Sequence, residues 1–224
     1  MPPNALADHR RPPVAPGYVL IHADAALIVV NKPSGLLSVP GRGADKQDCL
    51  IRRVQLDYPD ALIVHRLDYD TSGLLVLARG KLMHRQLSIL FQERQVDKRY
   101  VAVVGGRLAP ESGEVDLPLI VDWPNRPRHI VDFSLGKPSL TRYRVLSYDA
   151  QGDCSRVALT PETGRTHQLR VHMQALGHPI LGDSLYADAG RLSQADRLLL
   201  HAELLSFAHP QSGDTLEFAC PPPF

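Results

Sequence analysis

A chain of 224 residues, 44% hydrophobic and 22% charged, holds enough apolar material for one sizeable core with at most a small appendage, and this balance excludes global disorder. Lys and Arg number 25 against 24 Asp and Glu, a formal charge of +1, so any attraction to nucleic acid must come from local clustering. No apolar run approaches the roughly 20 residues that cross a bilayer, and the first residues lack the apolar stretch of a secretory signal, so a cytoplasmic protein is expected.

Residues 1–17 carry five prolines and few large apolar groups, which predicts a flexible arm. YVLIHAD and ALIVVNKPSG read as two strands around a turn at Asp24–Ala25, the second stopped by Pro33-Ser34-Gly35. Over residues 47–57, Leu50, Val54 and Asp57 fall at helical spacing. LIVHRLDYDTSGLLVLA reads as strand, polar loop, strand. Met83, Leu87, Leu90 and Phe91 form the inner stripe of a helix over 81–93. RYVAVVGG predicts a strand, and the Pro- and Gly-rich residues 105–139 predict irregular surface structure. TRYRVLSYD and SRVALTP alternate as half-buried strands do. Leu169, Met173 and Leu176 then mark a helix, with Gly177 suited to its C′ position. RLLLHAELLSFAHP and DTLEFACP read as closing strands. Strands dominate without a regular β-α-β rhythm, so the expected class is α+β, with residues 18–224 as one domain.

The three cysteines are widely spaced and odd in number, as plain thiols in a reducing compartment would be. The ten histidines show no metal-site spacing; His167 and His172, five apart, do not share a helical face. There is no Gly-rich dinucleotide fingerprint or P-loop. Basic residues do cluster once: Arg126, Arg128, Lys137, Arg142 and Arg144 stand against Asp132 alone over residues 126–144, a net of +4 that fits either a solvated face or an RNA contact.

The segment from His65 to Ser72 packs two carboxylates, two basic groups and two hydroxyls into eight residues between apolar strands. Burying so many polar groups is costly unless they are satisfied or functional. A polar turn with Asp70 or Thr71 capping backbone amides is the plainer alternative. The segment resembles the H-R-L-D-x-x-T-S-G-L-L signature of RluA-type RNA pseudouridine synthases at every fixed position. NKPSGLLSVPG, DKRYVAVVGG and TGRTHQLRVHMQALGHPILGD resemble further blocks of that family, in the same order, so that the resemblance covers roughly residues 18–222.

The resemblance implies a mixed, mainly antiparallel sheet with flanking helices and an isomerase that needs no metal or organic cofactor. It makes Asp68 the catalytic carboxylate, pairs Arg165 with it, stacks Tyr100 on the target base and sets Leu169 against the uracil. It also sends Arg66 into the space vacated by a flipped base. Lys32 matches the Lys-Pro motif and supports either the site or the turn before Pro33. Without the family, Leu169 reads as core, Tyr100 as a cross-strand aromatic and Arg165 as a surface cation at a helix start, where a cation is electrostatically misplaced.

The first 17 residues are too short for the S4-like RNA-binding module of some members, so the catalytic part is expected to recognise RNA by itself, as a monomer. DLPLIVDWPNRP and LLSVPG resemble the short subfamily that modifies both tRNA anticodon loops and a hairpin loop of 23S ribosomal RNA, which singles out Trp123, Arg126 and Arg128 as loop contacts. Two other readings stay open. A hydrolase using Asp68 would pass the sugar to water, and an inactive RNA-binding protein would bind without reacting.

Overall fold

The computed structural model describes residues 17–224; the proposed arm over 1–17 falls, but for Gly17, outside the described residues. β1 (Val19–Ala23) and β2 (Leu27–Lys32) form the expected antiparallel hairpin, and Asp24 closes it by accepting the N–H groups of Ala26 and Leu27 at 2.7 and 2.8 Å. β2 pairs along its length with β4 (Ser72–Arg79), which β3 (Ala61–Ile63) flanks on its other edge.

The near-continuous apolar sequence of β2 and β4 has a simple cause, since both of their faces are covered. Ile28, Val30, Leu75 and Leu77 pack with Leu50 and Val54 of α1 (Leu50–Asp57). Leu27, Val29, Leu74 and Val76 pack with Met83 and Leu87 of α2 (Gly80–Gln92). α1 starts three residues later than its spacing predicts because Cys49 is still extended, at φ −160°.

In the second half, β5 (Asp97–Gly105), β9 (Leu140–Asp149) and β10 (Cys154–Pro161) pair antiparallel. α3 (Gln168–Ala175) lays Leu169 and Met173 on Ala102, Val104, Val157 and Leu159, and Gly177 follows it at φ +81°. The irregular stretch expected over 105–139 is in part regular. β6 (Ser112–Asp116) extends the sheet beyond β9, while β7 (Leu119–Val121) and β8 (His129–Val131) form a separate hairpin. Strands of three to five residues between prolines are too short to show a period.

With β11 (Leu200–Ala208), the large sheet runs β1-β2-β4-β11-β5-β10-β9-β6 and makes the molecule α+β, mostly antiparallel. One junction is parallel: β4 meets β11 only at Ser72↔His201 and Gly73↔Ala202. Beyond those positions the two strands part. β3 occupies the freed edge of β4, and β12 (Thr215–Ala219) that of β11. Gly73 is required there, because φ is +116° and a Cβ would stand 2.3 Å from the Ala202 carbonyl oxygen. Beside it His201, 1% exposed, accepts the Ser72 hydroxyl at Nδ1 (2.8 Å) and donates from Nε2 to the Cys220 carbonyl (3.1 Å).

Two outcomes are expected. Gly73→Ala forces apart the parallel junction and should cost about 2–4 kcal/mol in chemical denaturation. Burial pushes the His201 imidazole down to about 4, from an ordinary 6.5. Below pH 6.5 the unfolded chain therefore takes a proton that the folded chain refuses, and stability is lost as the pH falls toward 4. Between pH 6.5 and 5 this group should withdraw roughly 1–2 kcal/mol, read as a falling urea midpoint that His201→Gln flattens.

Candidate active site at the parallel junction

The polar loop that precedes β4 is fixed from below by the segment that follows β2. Ser38 Oγ donates to the Leu67 carbonyl (2.7 Å) and accepts the Leu67 N–H (3.2 Å). Gly35 N–H donates to the Tyr69 carbonyl (2.9 Å), and Ser34 Oγ to that of Asp70 (2.7 Å). Lys32, fully buried, donates to the carbonyls of Pro33, Leu36 and Tyr69 at 2.8, 2.8 and 3.2 Å. Three acceptors use the three protons of an ammonium. Burial pushes this amine down to about 7, and the carboxylates of Asp68 and Asp70 oppose that shift. These bonds tie the Pro33 turn to the backbone beside Asp68. His65 holds the other side: its ring stacks on Phe91 with centroids 4.4 Å apart, and Nε2 accepts the Val76 N–H at 3.0 Å. Burial pushes this imidazole down to about 3, as an accepting nitrogen requires.

Across the cleft stands the loop before α3. Gln168 fastens it: Oε1 accepts from Thr163 Oγ1 (2.7 Å) and the Arg165 N–H (3.0 Å), while Nε2 donates to the Leu140 carbonyl (2.9 Å). Here one expectation is corrected. The guanidinium at Asp68 is that of Arg170, whose Nη1 lies 3.4 Å from Asp68 Oδ2. Arg165 is exposed and turns its Nε to the Pro138 carbonyl at 3.2 Å. The reason is local. Arg165 precedes the helix by three residues, whereas Arg170 lies within it, on the side that faces Asp68.

Arg170 is 2% exposed and makes a bidentate pair with the buried Asp183, at 2.8 and 2.7 Å. Burial works against its charge, and Asp183 more than offsets that. His167 Nε2 lies 3.9 Å from the same Oδ2 of Asp68. Arg170 and His167 thus both address Oδ2, and among the described residues no hydrogen bond goes to Oδ1.

Asp68, Tyr100, Arg66 and Arg165 line a cleft of about 1560 Å³, larger than the roughly 300–1,000 Å³ of small-molecule sites. A recess adjoining it is walled by Asp68, Tyr100, Leu169 and Leu200. Burial, then the charge of Asp68, pushes the Tyr100 phenol well up, so it keeps its proton. Leu169 is 7% exposed, packs in the core and edges the recess. Arg66 is exposed at the mouth. The β7–β8 hairpin contributes Pro127 to the rim; Arg126 stacks on the exposed Trp123 at 4.3 Å, and Arg128 lies over Tyr186 at 5.4 Å. The +4 cluster does not form one patch, because Arg142 is matched by Glu114 and Glu162 at 2.9 and 3.0 Å. Among the described residues no group of three or more His, Cys, Asp or Glu could hold a metal ion.

Arg170, His167, Asp183 and Tyr186 were not singled out by the sequence. For Arg170 a signal existed: it is three residues before Met173, beside the apolar stripe, where an ordinary surface cation does not belong.

A family model described as RNA pseudouridylate synthase matches residues 26–175. The chain is 51% identical over 217 residues to the "Dual-specificity RNA pseudouridine synthase RluA" of Escherichia coli K12, covering 97% of this chain and 99% of the relative. The protein of that name from Yersinia pestis is 50% identical over 90% of this chain and 98% of its own. Among solved structures, human RNA Pseudouridylate Synthase Domain Containing 1 superposes with a TM-score of 0.78 at 31% identity, over 92% of this chain and 84% of that one.

If Arg170 is the buried partner, removing its counter-ion is expensive. Asp183→Ala should cost about 3–5 kcal/mol of unfolding free energy, while Arg165→Ala should cost less than about 1. Comparable losses in urea melts of the two variants would contradict the assignment.

Proposed function

The chain belongs to the RNA pseudouridylate synthase family, and we propose that it isomerises uridines in small folded RNA loops of both tRNA and 23S ribosomal RNA, with Asp68 as the reacting carboxylate. The reaction breaks the N1–C1′ bond, turns the uracil over and joins C5 to C1′; the C5 proton leaves and N1 gains one. The observation that carries the reading is Asp68 itself: Oδ2 faces Arg170 and His167, and Oδ1 is left for the substrate. An ionised carboxylate serves at C1′ as nucleophile, as base toward the sugar or as electrostatic partner to a developing cation, and one free oxygen suits all three.

A base stacked in RNA cannot reach a carboxylate walled in this way, so the uridine must leave the stack. Tyr100 and Leu169 then bracket the ring in the recess, and the Tyr100 phenol, which keeps its proton, meets the base as a hydrogen-bond donor. Arg66 fills the space vacated in the RNA, and the exposed Arg165 meets phosphates at the mouth. Trp123 with Arg126 offers a stacking platform, and Arg128 a further cation, for the loop outside the cleft. The size of the cleft favours an RNA loop over a free nucleoside. Dual specificity is supported by the relatives that carry that description. Residues 18–224 act as one catalytic unit, a cytoplasmic monomer; three free thiols suit that compartment.

The test is incubation with uridine-5-³H-labelled tRNA and 23S transcripts. Tritium should be released from both by the wild type, and at least about 1,000-fold more slowly by Asp68→Asn, with RNA affinity and melting temperature kept. Release from one RNA alone would reduce the proposal to a single substrate, and release of free uracil would replace it with hydrolysis. Trp123→Ala should weaken RNA binding by about tenfold or more without removing the reaction.

A further inference from the structure

His167 has a backbone that the fold must hold in place. Its φ is +57°, a left-handed conformation that is strained for a non-glycine residue. That conformation, just before α3, brings the ring to Asp68 with its side chain 9% exposed.

The ring's protons are set by its neighbours. The backbone N–H of His129 donates to Tyr186 Oη at 2.8 Å. The Tyr186 hydroxyl keeps its own proton, since burial pushes the phenol up to about 12. Among the described hydrogen bonds, the acceptor for that proton is His167 Nδ1, at 2.7 Å. With Nδ1 accepting, the proton of a neutral imidazole stands on Nε2, the nitrogen 3.9 Å from Asp68 Oδ2. The groups facing the ring are Asp68, Arg170, Asp183 and His129, with Tyr186 edge-on at 5.6 Å. Burial above all, and Arg170 and His129 after it, push the imidazole down to about 4 against the pull of Asp68 and Asp183. At neutral pH it is a neutral donor of one defined tautomer.

We infer that His167 is a positioning residue for Asp68, its tautomer locked by Tyr186 so that Nε2–H shares Oδ2 with Arg170 and turns Oδ1 toward the sugar of the flipped uridine. The inference rests on the reading of Asp68 given above. At 3.9 Å the contact is longer than a hydrogen bond, and in a free site such contacts close only when substrate arrives. Two donors on one oxygen fix the plane of the carboxylate, where Arg170 alone, at 3.4 Å and tied to Asp183, would leave it free to rotate. Tyr186 acts through His167 and does not touch the substrate.

Single-turnover rates and RNA affinities of His167→Leu, His167→Gln and Tyr186→Phe, with Asp68→Asn as reference, test this across pH 6–8. His167→Leu should lose about 10- to 100-fold in rate with affinity within about twofold, and His167→Gln, which keeps an N–H donor, should recover part of it. Tyr186→Phe releases the tautomer. The Nε2 lone pair can then face Asp68, and the rate falls with affinity kept; because burial holds the ring near 4, it stays neutral and the loss persists across pH 6–8. An unchanged rate for His167→Leu, a loss confined to affinity or melting temperature, or a wild-type rate for Tyr186→Phe would overturn the inference. If Asp68→Asn is inactive while these variants match the wild type, the inference alone fails; if Asp68→Asn keeps its rate, the reading of Asp68 fails first.

Discussion

A guanidinium 2% exposed is the group around which this site is organised. Burying the charge of Arg170 costs several kcal/mol unless it is paired and hydrogen-bonded. Asp183 takes two of its donors, and is itself held by the N–H groups of Leu185 and Tyr186 at 2.9 and 3.2 Å. Of the three that remain, one on Nη1 reaches Asp68. One buried cation therefore ties together α3, the turn at 183–186 and the loop before β4, three segments far apart in sequence. The strength of the Asp183 pair is what leaves Asp68 only loosely held. A carboxylate locked into its own bidentate bond would have no oxygen free to react.

The place of that loop follows from the sheet. Parallel pairing between β4 and β11 lasts two residue pairs, and Gly73 permits it only because it has no Cβ. The strands then part, and the loop that leads into Ser72 opens into the space between the sheet and α3. His201, Ser72 and the Cys220 carbonyl brace the junction with a chain of hydrogen bonds, to which the Arg197 guanidinium adds one more by donating to Ser72 Oγ. Lys32 does the corresponding work on the backbone beside Asp68. It spends its donors on backbone carbonyls and not on the carboxylates it lies near.

Most of the architecture was legible because β2, β4, α2 and β10 have strong, uniform patterns that survive in any context. The short strands β6, β7 and β8 were not, since three to five residues between prolines carry no period. Asp68 was legible from the crowding of polar groups between apolar strands, sharpened by the family signature. Its cation was misassigned for a reason that generalises. Arg165 and Arg170 lie within one short motif, and sequence distance cannot say which of two arginines a helix start turns inward. The fold chose Arg170 because only that position sits inside the helix, next to residues buried against the sheet. His167 left even less trace, because its part depends on a left-handed φ and on Tyr186, 19 residues away.

A formal charge of +1 looks ill suited to a protein of the RNA pseudouridylate synthase family until the acids are followed to their partners. Asp183 is spent on Arg170, Asp48 on Arg53, Asp60 on Arg79 and Asp153 on Arg191, while Glu114 and Glu162 share Arg142. Such pairs are close to neutral a Debye length away, about 8–10 Å at ordinary salt. Arg66 and Arg165 at the mouth of the cleft make no ion pair among the described residues, and Arg126 is held by an aromatic face instead of a carboxylate. Cations without a carboxylate partner among the described residues therefore stand at the rim, although the molecule as a whole is almost neutral. Stacking of Arg126 on Trp123 adds to this, for it orders a cation and an apolar ring together at the edge of the cleft without cancelling the charge. Attraction confined to the rim favours RNA whose loop fits between hairpin and cleft over RNA in general, which is what a modifying enzyme selective for a few uridines requires.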